Sequence, residues 1–322
     1  MDLTAALLRA GARRPHVLVA PAPGGTAVRL RVEAELAHRG WPAAAGPADA
    51  DVLVVAGAAG PALAAVVDEV WRAVPAPRAR TAVLDPGRVP SALDAAVRQV
   101  ADAGHQRRTA PAGSRPGPPV PGEHATAHAG HRTDQDQHQP PPPEGHGGHH
   151  AHHGQHGGMA LPGGRVLAGL GPDRDGLTLD RLHVPLGPLL PDWPAGLVLR
   201  VTLQGDVVQE AAAEVLDADR AVPFWTPATA AARELDGLGR FLAVAGWADA
   251  AARSRRLRDD LLAGTAVDGG VAARLTHRVR RSRTLKWLVR GMPAGPADVL
   301  TVLHRRLDAV DAALAGDPAA PV

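Results

Sequence analysis

Short apolar runs alternate with stretches of helical periodicity near the amino terminus. Residues 16–21 have the pattern of a short buried strand, and residues 51–57 are almost continuously apolar, as is typical of a strand that is covered on both faces. Residues 80–87 end a third strand at a turn. A helical pattern follows each run, and the second begins at Pro61, where a proline loses no intrahelical hydrogen bond. Strand and helix thus alternate three times. This order predicts an α/β domain with a doubly wound parallel sheet over residues 1–103.

The apolar periodicity disappears over residues 104–160. Pro, Gly, His, Gln and Thr dominate this segment. It offers too little apolar surface to offset the entropy that the chain would lose on ordering. We therefore expect a disordered, histidine-rich linker.

Regular patterns return in residues 161–322. The segments 197–203 and 207–215 flank a Gly-Asp pair at Gly205, which predicts a β-hairpin. Beyond Pro227 the apolar positions recur with helical spacing. The carboxy-terminal domain is therefore expected to be α+β and mostly helical.

The absence of cysteine is the most restrictive feature of the composition. None of the 322 residues is a cysteine, which excludes disulfides, thiol nucleophiles, thiolate zinc sites and cysteine-ligated iron–sulfur clusters. Any metal must therefore be bound by His, Asp or Glu.

Charge and hydropathy give little indication of a nucleic acid or a membrane span. The formal net charge is only +2, and of 35 basic residues Lys286 alone is a lysine. Charge alone therefore does not indicate nucleic-acid binding. No segment approaches the ~20 apolar residues of a transmembrane helix, and the amino terminus lacks the pattern of a signal peptide. A cytoplasmic protein is expected.

The segment 48–87 carries two motifs in addition to its strand pattern. Val55 and Gly57 end a strand before a helix, and Pro75 and Pro77 precede the next strand. With this arrangement the segment resembles the small, cluster-bearing subunit of respiratory complex I and of nickel–iron hydrogenases. Upstream, residues 21–36 resemble the family's Cys-x-x-Cys loop before a helix. The resemblance implies that two of the family's cluster thiolates fall at about Gly25 and Val28, and a further one near Pro86. Because none of these residues binds iron, no iron–sulfur cluster is expected.

The third region resembles the partner large subunit of the same complexes. Its opening motif matches the family at Gly187, Pro188 and Pro191. Leu190 stands where the family has the first of two quinone-contacting histidines, and the second falls near Pro194. Two further stretches, residues 234–251 and 273–283, resemble the family's Glu-Leu-Asn-Arg helix and its Arg-Met-Thr-His segment. The resemblance implies a large-subunit-like domain without quinone ligands.

A histidine tract follows a run of four prolines. Eleven of the 16 histidines lie between residues 104 and 158, and six are closely spaced: His146, His149, His150, His152, His153 and His156. Neutral imidazoles bind nickel, zinc and copper, with an affinity that rises as pH rises, because the ligands must lose protons first. The tract therefore predicts nickel or zinc binding. The alternative is a low-complexity linker whose metal binding has no use in the cell.

Three further patterns each have a functional and a structural interpretation. The turn 21–27 lies between a strand and a helix, as a phosphate-binding loop would. It lacks the P-loop lysine and the glycine spacing of dinucleotide-binding loops, and this absence favours a structural turn. Residues 172–180 carry three aspartates without the EF-hand pattern, which favours a solvated turn over a calcium site. His183, His277 and His304 could each act as a catalytic base, but none has a carboxylate partner or a nucleophile at a useful spacing, which favours a structural role.

Residues 274–291 form a basic stretch that includes Trp287 and Leu288. Such a stretch can dock on an acidic partner or peripherally on an anionic membrane surface. A solvated helical face is the other interpretation.

Two functional hypotheses follow. The first is a non-catalytic accessory or assembly protein, related to NADH:quinone oxidoreductase or hydrogenase subunits, that contacts subunits of a membrane-bound oxidoreductase at the inner face of the membrane. The second is a nickel or zinc metallochaperone or metal reservoir that recognises a metalloenzyme client. An unrelated α/β enzyme ranks third, because the sequence offers no clear catalytic or cofactor-binding residue.

Overall fold

The computed structural model describes residues 3–109, 169–172 and 178–315. Contacts divide the chain into two units, one made of residues 1–110 and 183–322 and the other of residues 111–182. The first unit contains the parallel sheet, the β-hairpin and the carboxy-terminal helices. Most of the predicted linker lies outside the described residues.

A parallel sheet of three strands forms the centre of the amino-terminal part. β1 (Val17–Pro21), β2 (Val52–Ala56) and β3 (Ala79–Val83) lie in that order, and Val17 is in register with Val52 and Val52 with Ala79. The strands lie where the sequence predicts them, so the prediction of a parallel α/β part is confirmed.

The outer edge of β1 bonds to a short extended segment after the first crossover helix, α2 (Thr26–Arg39). The backbone N–H of Val17 donates to Pro42 O at 3.0 Å, and that of Ala44 donates to Val17 O at 2.9 Å. This pairing forms an isolated parallel bridge between Val17 and Ala43. From α2 the chain therefore returns on one side of β1 before it crosses to β2 on the other side.

Helices cover both faces of the sheet. α2 and α4 (Val89–Ala101) pack on one face, while α3 (Pro61–Ala73) packs on the other. Alternate residues of β2 enter the two cores: Val52 and Val54 contact the first, and Leu53 and Val55 the second. This alternation explains why the strand is apolar at every position.

Two shorter helices complete this part, α1 (Leu3–Gly11) and α5 (Ala103–Thr109). α5 corrects the predicted linker boundary, because residues 104–109 are helical. The reason is Gln106, whose buried amide accepts from Arg78 N at 2.9 Å and donates to Arg78 O at 3.0 Å. These bonds complete the backbone pairing of Arg78 and hold α5 on the sheet.

The predicted hairpin is confirmed. β6 (Leu197–Gln204) and β7 (Val207–Val215) are antiparallel, with a register shift after Thr202. β5 (Thr178–Leu186) precedes them, and its first residues pair with β4 (Gly169–Pro172) in the second unit. Of residues 172–180, the predicted aspartate turn, only the strand residues are described.

The carboxy-terminal part is helical, as predicted. Its helices are α6 (Ala230–Val244), α7 (Ala248–Leu262), α8 (Gly269–Arg281), α9 (Arg283–Val289) and α10 (Val299–Ala315). Between the last two lies the hairpin of β8 (Pro293–Ala294) and β9 (Ala297–Asp298). One apolar core unites the five helices, with Leu235, Leu238 and Leu307 fully buried. Within the described ranges, no helix is long and apolar enough to cross a membrane.

Candidate functional site

The carboxyl ends of β1 and β2 form a topological switch point. From β1 the chain returns toward Ala43 on one side, whereas from β2 it passes through α3 to β3 on the other. Open α/β sheets bind ligands in the crevice at such a point. Here the crevice lies between the turn 22–25, which follows β1, and the turn 57–60, which follows β2.

Backbone atoms fill this crevice. Ala22 N donates to Ala56 O at 2.9 Å, and Gly25 N donates to Ala22 O at 2.8 Å. A Cβ atom on Gly25 would lie 2.1 Å from Ala56 O, and one on Gly57 would lie 2.6 Å from the Gly25 Cα. Gly57 also has a φ of +99°, which favours glycine. The turn 21–27 is therefore a tight structural turn without space for a phosphate against its backbone.

A loop from the carboxy-terminal part covers the same edge of the sheet. Asp217, which follows β7, accepts hydrogen bonds from Leu63 N at 2.9 Å and from Ala62 N at 3.3 Å. These donors lie in the first turn of α3, where backbone N–H groups have no intrahelical partner. The backbone of the same loop lies against Gly24, since a Cβ there would be 2.6 Å from Arg220 O. The chain thus supplies its own carboxylate to the amino terminus of α3.

Replacing Asp217 with alanine is expected to lower the free energy of unfolding by about 1–2 kcal/mol, because the first turn of α3 loses its cap. Asp217 also has a φ of +51°, where alanine is strained. Asparagine tolerates this backbone and keeps one acceptor oxygen, so Asp217→Asn should cost less. Urea unfolding measures the stability of both variants. Asp219→Ala, at an exposed position two residues further along, is the control. Equal stabilities of the three variants would contradict the capping role.

A buried cluster of charged residues joins α2 to α6 and α7. We call it the ion-pair cluster; it consists of Arg29, Glu33, Asp236, Arg258 and Asp259. The Arg29 guanidinium bonds both oxygens of the Asp236 carboxylate, at 2.8 and 3.2 Å. Nη1 of Arg258 lies 2.7 Å from Glu33 Oε2 and 2.7 Å from Asp236 Oδ1. Two arginines thus bridge carboxylates on helices from both ends of the chain.

The charges in the cluster shift one another's pKa values. Burial raises the pKa of Glu33, but the positive charges of Arg29 and Arg258 outweigh it, so that the pKa lies below its ordinary value. The pKa of Asp236 is also lowered, because the positive charge of Arg29, with that of Arg258, outweighs the effect of burial. Burial raises the pKa of Asp259, and Arg258 only partly offsets this effect. Glu33 and Asp236 are therefore held ionised as partners of the two arginines.

Three more charged residues lie around the cluster. The guanidinium of Arg255 pairs with the carboxylate of Asp192, and Arg240 Nε donates to Asp192 O at 3.0 Å. Burial, followed by repulsion from Arg29, lowers the pKa of Arg240. Together with the cluster, these residues amount to four positive and four negative groups. The charges of this set balance, and its ion pairs connect α2 to α6 and α7.

The positions that the resemblance equates with iron–sulfur and quinone ligands are occupied by glycine, valine, proline and leucine. Val28 is 3% exposed and packs in the core between α2 and the sheet. Pro86 begins a 3₁₀ turn capped by Asp85, whose side chain accepts from Gly87 N at 2.9 Å. Leu190 is partly buried, and Pro194 is exposed. In the described ranges no three His, Asp or Glu side chains come together as metal ligands. The six histidines of the tract lie outside these ranges.

The other predicted histidines are dispersed. His183 Nδ1 lies 3.1 Å from Thr202 Oγ1 on the hairpin. His277 lines a groove of about 510 Å³ between α8 and α10, where Asp311 accepts from Thr276 at 2.7 Å and from Arg280 at 2.8 Å. His304 lies on α10, partly buried. The structure does not bring these three histidines together as a catalytic set.

Sequence reasoning missed one histidine–carboxylate pair. His16 Nδ1 lies 2.7 Å from Asp49 Oδ1, and both side chains are a little less than half exposed. Backbone donation from Ala45, followed by the His16 bond, lowers the pKa of Asp49. The pair lies at the opposite end of the sheet from the switch point and ties β1 to the turn before β2.

No family model, no curated protein and no solved structure matches this chain. The resemblance to complex I and hydrogenase subunits therefore stays a prediction that depends on the motif residues alone.

Proposed function

We propose that this chain is a non-catalytic accessory or assembly protein of a membrane-bound oxidoreductase related to complex I or hydrogenase, and that it acts by protein–protein contact. The observation that carries the proposal is the closed switch point. Gly25, where the resemblance implies a thiolate, has Ala56 O so close that it leaves no space for a side chain. A site with neither ligands nor space supports the loss of electron transfer through this domain.

The ion-pair cluster gives further support. Arg29 and Glu33 belong to the small-subunit-like part, and Asp236 and Arg258 to the large-subunit-like part. Their bonds join the two parts within one unit of the chain. A fused pair of this kind keeps a subunit-like scaffold together without a second polypeptide, which suits a protein that presents a surface to partners.

The second candidate function is nickel or zinc delivery, favoured by the six closely spaced histidines from His146 to His156. Several imidazoles on one short segment offer an ion many alternative ligand sets. The parts on either side would then recognise the client enzyme.

One set of deletions tests both functions. In a host that lacks the chain, we expect the amount of assembled membrane-bound oxidoreductase, measured on native gels, to fall. The full chain and a chain without residues 145–158 should restore it equally. A chain without the equally long segment 110–123, which contains no histidine, is the matched control.

The metal-delivery function predicts a different pattern. Only the chain without residues 145–158 should fail to restore the client enzyme, and added nickel or zinc should then restore the activity of that enzyme. Calorimetry should then show metal binding by the full chain that the deletion abolishes. Unchanged oxidoreductase assembly in the host without the chain would contradict the accessory function. Iron–sulfur absorbance or quinone reductase activity of the purified protein would also contradict the non-catalytic accessory function.

A further inference from the structure

The basic stretch 274–291 separates into two parts in the structure. In α8, Arg278 lies 3.0 Å from Asp249, and Arg280 lies 2.7 Å from Asp308 and 2.8 Å from Asp311. Arg274 makes a longer contact, 3.8 Å, with Asp268. Carboxylates of the same chain thus neutralise this first part.

The second part has no such compensation. Its cations are all exposed, and none pairs with a carboxylate in the part of the chain that the structure describes: Arg281, Arg283, Lys286 and Arg290. The sequence from 281 to 297 contains no Asp or Glu. These four cations therefore form a positive surface at the carboxy-terminal end of α8 and around α9.

Apolar side chains project from the centre of this surface. Trp287 is 75% exposed, Met292 47% and Leu288 42%. Leu285 and Val289, by contrast, are buried in the helical core and anchor α9 from beneath. Arg283 stands four residues before Trp287 on α9, so helical spacing brings the two side chains close together. Arg290 follows the last residue of α9 directly. We call these four cations and three apolar residues the tryptophan patch.

We infer that the tryptophan patch docks peripherally on an anionic lipid surface. Tryptophan is enriched at the membrane–water interface, where its ring enters the headgroup region while nearby arginine and lysine side chains reach the lipid phosphates. Charge complementarity selects an anionic surface, because these four cations have no carboxylate partner among the described residues. The apolar centre is small and projects outward, which fits shallow insertion better than a protein interface, whose central residues fill pockets.

This inference does not depend on the proposed function, because the patch would bind lipid whichever proteins the chain contacts. The test is cosedimentation of the full chain with vesicles of phosphatidylcholine alone and of an equal mixture with phosphatidylglycerol. A pH of about 8 and a chelator keep the histidine tract mostly uncharged and free of metal. We expect binding to the anionic vesicles only, weakened by added salt.

Paired variants locate the binding surface. Replacing Arg283 and Arg290 together with glutamine should weaken binding about 25-fold, since each cation near an anionic surface contributes roughly fivefold. Replacing Arg274 and Arg278 together with glutamine changes the net charge equally but removes cations that already have partners. That control should retain most of the binding. Trp287→Ser should weaken binding while leaving its salt dependence unchanged.

Several results would overturn the inference. Equal losses in the two double variants would mean that binding follows net charge and not the patch. Equal binding to both kinds of vesicle would remove the role of the lipid charge. Binding to soluble polyglutamate but not to vesicles would identify an acidic protein as the partner instead. Because all three substitution sites of the patch are exposed, circular dichroism should show each variant to be folded.

Discussion

Replacing Arg258 with methionine is expected to lower the free energy of unfolding by about 3–5 kcal/mol. The Arg258 side chain is 0% exposed, and it bonds carboxylates on α2, on α6 and on its own helix. Methionine replaces the aliphatic part of the arginine side chain but carries no charge, so Glu33 and Asp236 would remain buried with Arg29 as their chief counterion. Guanidinium unfolding at neutral pH measures the loss, and the melting temperature should fall by about 2–4 °C for each kcal/mol.

The matched control is Arg256→Met on the same helix. Arg256 is exposed, and a surface substitution of this kind usually changes stability by less than about 0.5 kcal/mol. Arg258→Lys should fall between the two, because lysine keeps the charge but cannot bond several carboxylates with a planar fork. If Arg258→Met were as stable as Arg256→Met, the ion-pair cluster would not hold the two parts of the chain together.

Replacing Gly25 with alanine should cost about 3 kcal/mol or more, because the added methyl group meets a backbone carbonyl and not a flexible side chain. The backbone of Gly25 itself, with φ −84° and ψ 18°, is open to alanine, so the loss would come from steric collision, chiefly with Ala56 O. To relieve it, the turn after β1 must move away from β2. Thermal unfolding of the purified variant measures the effect.

Gly269→Ala is the control for this substitution. Gly269 begins α8, and a Cβ there meets nothing within 4 Å, so alanine should be neutral or stabilising by up to about 1 kcal/mol. Unchanged stability of Gly25→Ala would show that the switch point has space for a side chain. The observation on which we base the loss of a ligand site would then be wrong.

The strands of the parallel sheet could be predicted from the sequence, whereas their topology could not. Val52–Ala56 is apolar at every position because helices cover both of its sides, and that composition is visible without coordinates. The bridge to Ala43 is different. It depends on two backbone hydrogen bonds in a segment rich in Ala and Pro, and such a segment has no strand signal. The position of the switch point therefore became clear only from the structure.

The ion-pair cluster could not be predicted for a different reason. Arg29 and Glu33 have the spacing of an ordinary surface pair on a helix, and Asp236 lies next to the buried Leu235 in a helix of otherwise clear periodicity. Nothing in the local pattern indicates that these two helices meet. The basic stretch posed a similar problem, since the sequence counts cations but does not show which of them have partners.

The order in which the chain is synthesised gives the cluster a further consequence. Arg29 and Asp236 are separated by 207 residues, which take roughly 10–40 s to translate at about 5–20 residues per second. During that interval Arg29 and Glu33 have only each other as counterions on α2, without Asp236 and Arg258, and the first turn of α3 lacks the Asp217 carboxylate. The amino-terminal sheet therefore cannot acquire its full set of contacts on the ribosome until most of the carboxy-terminal part has emerged.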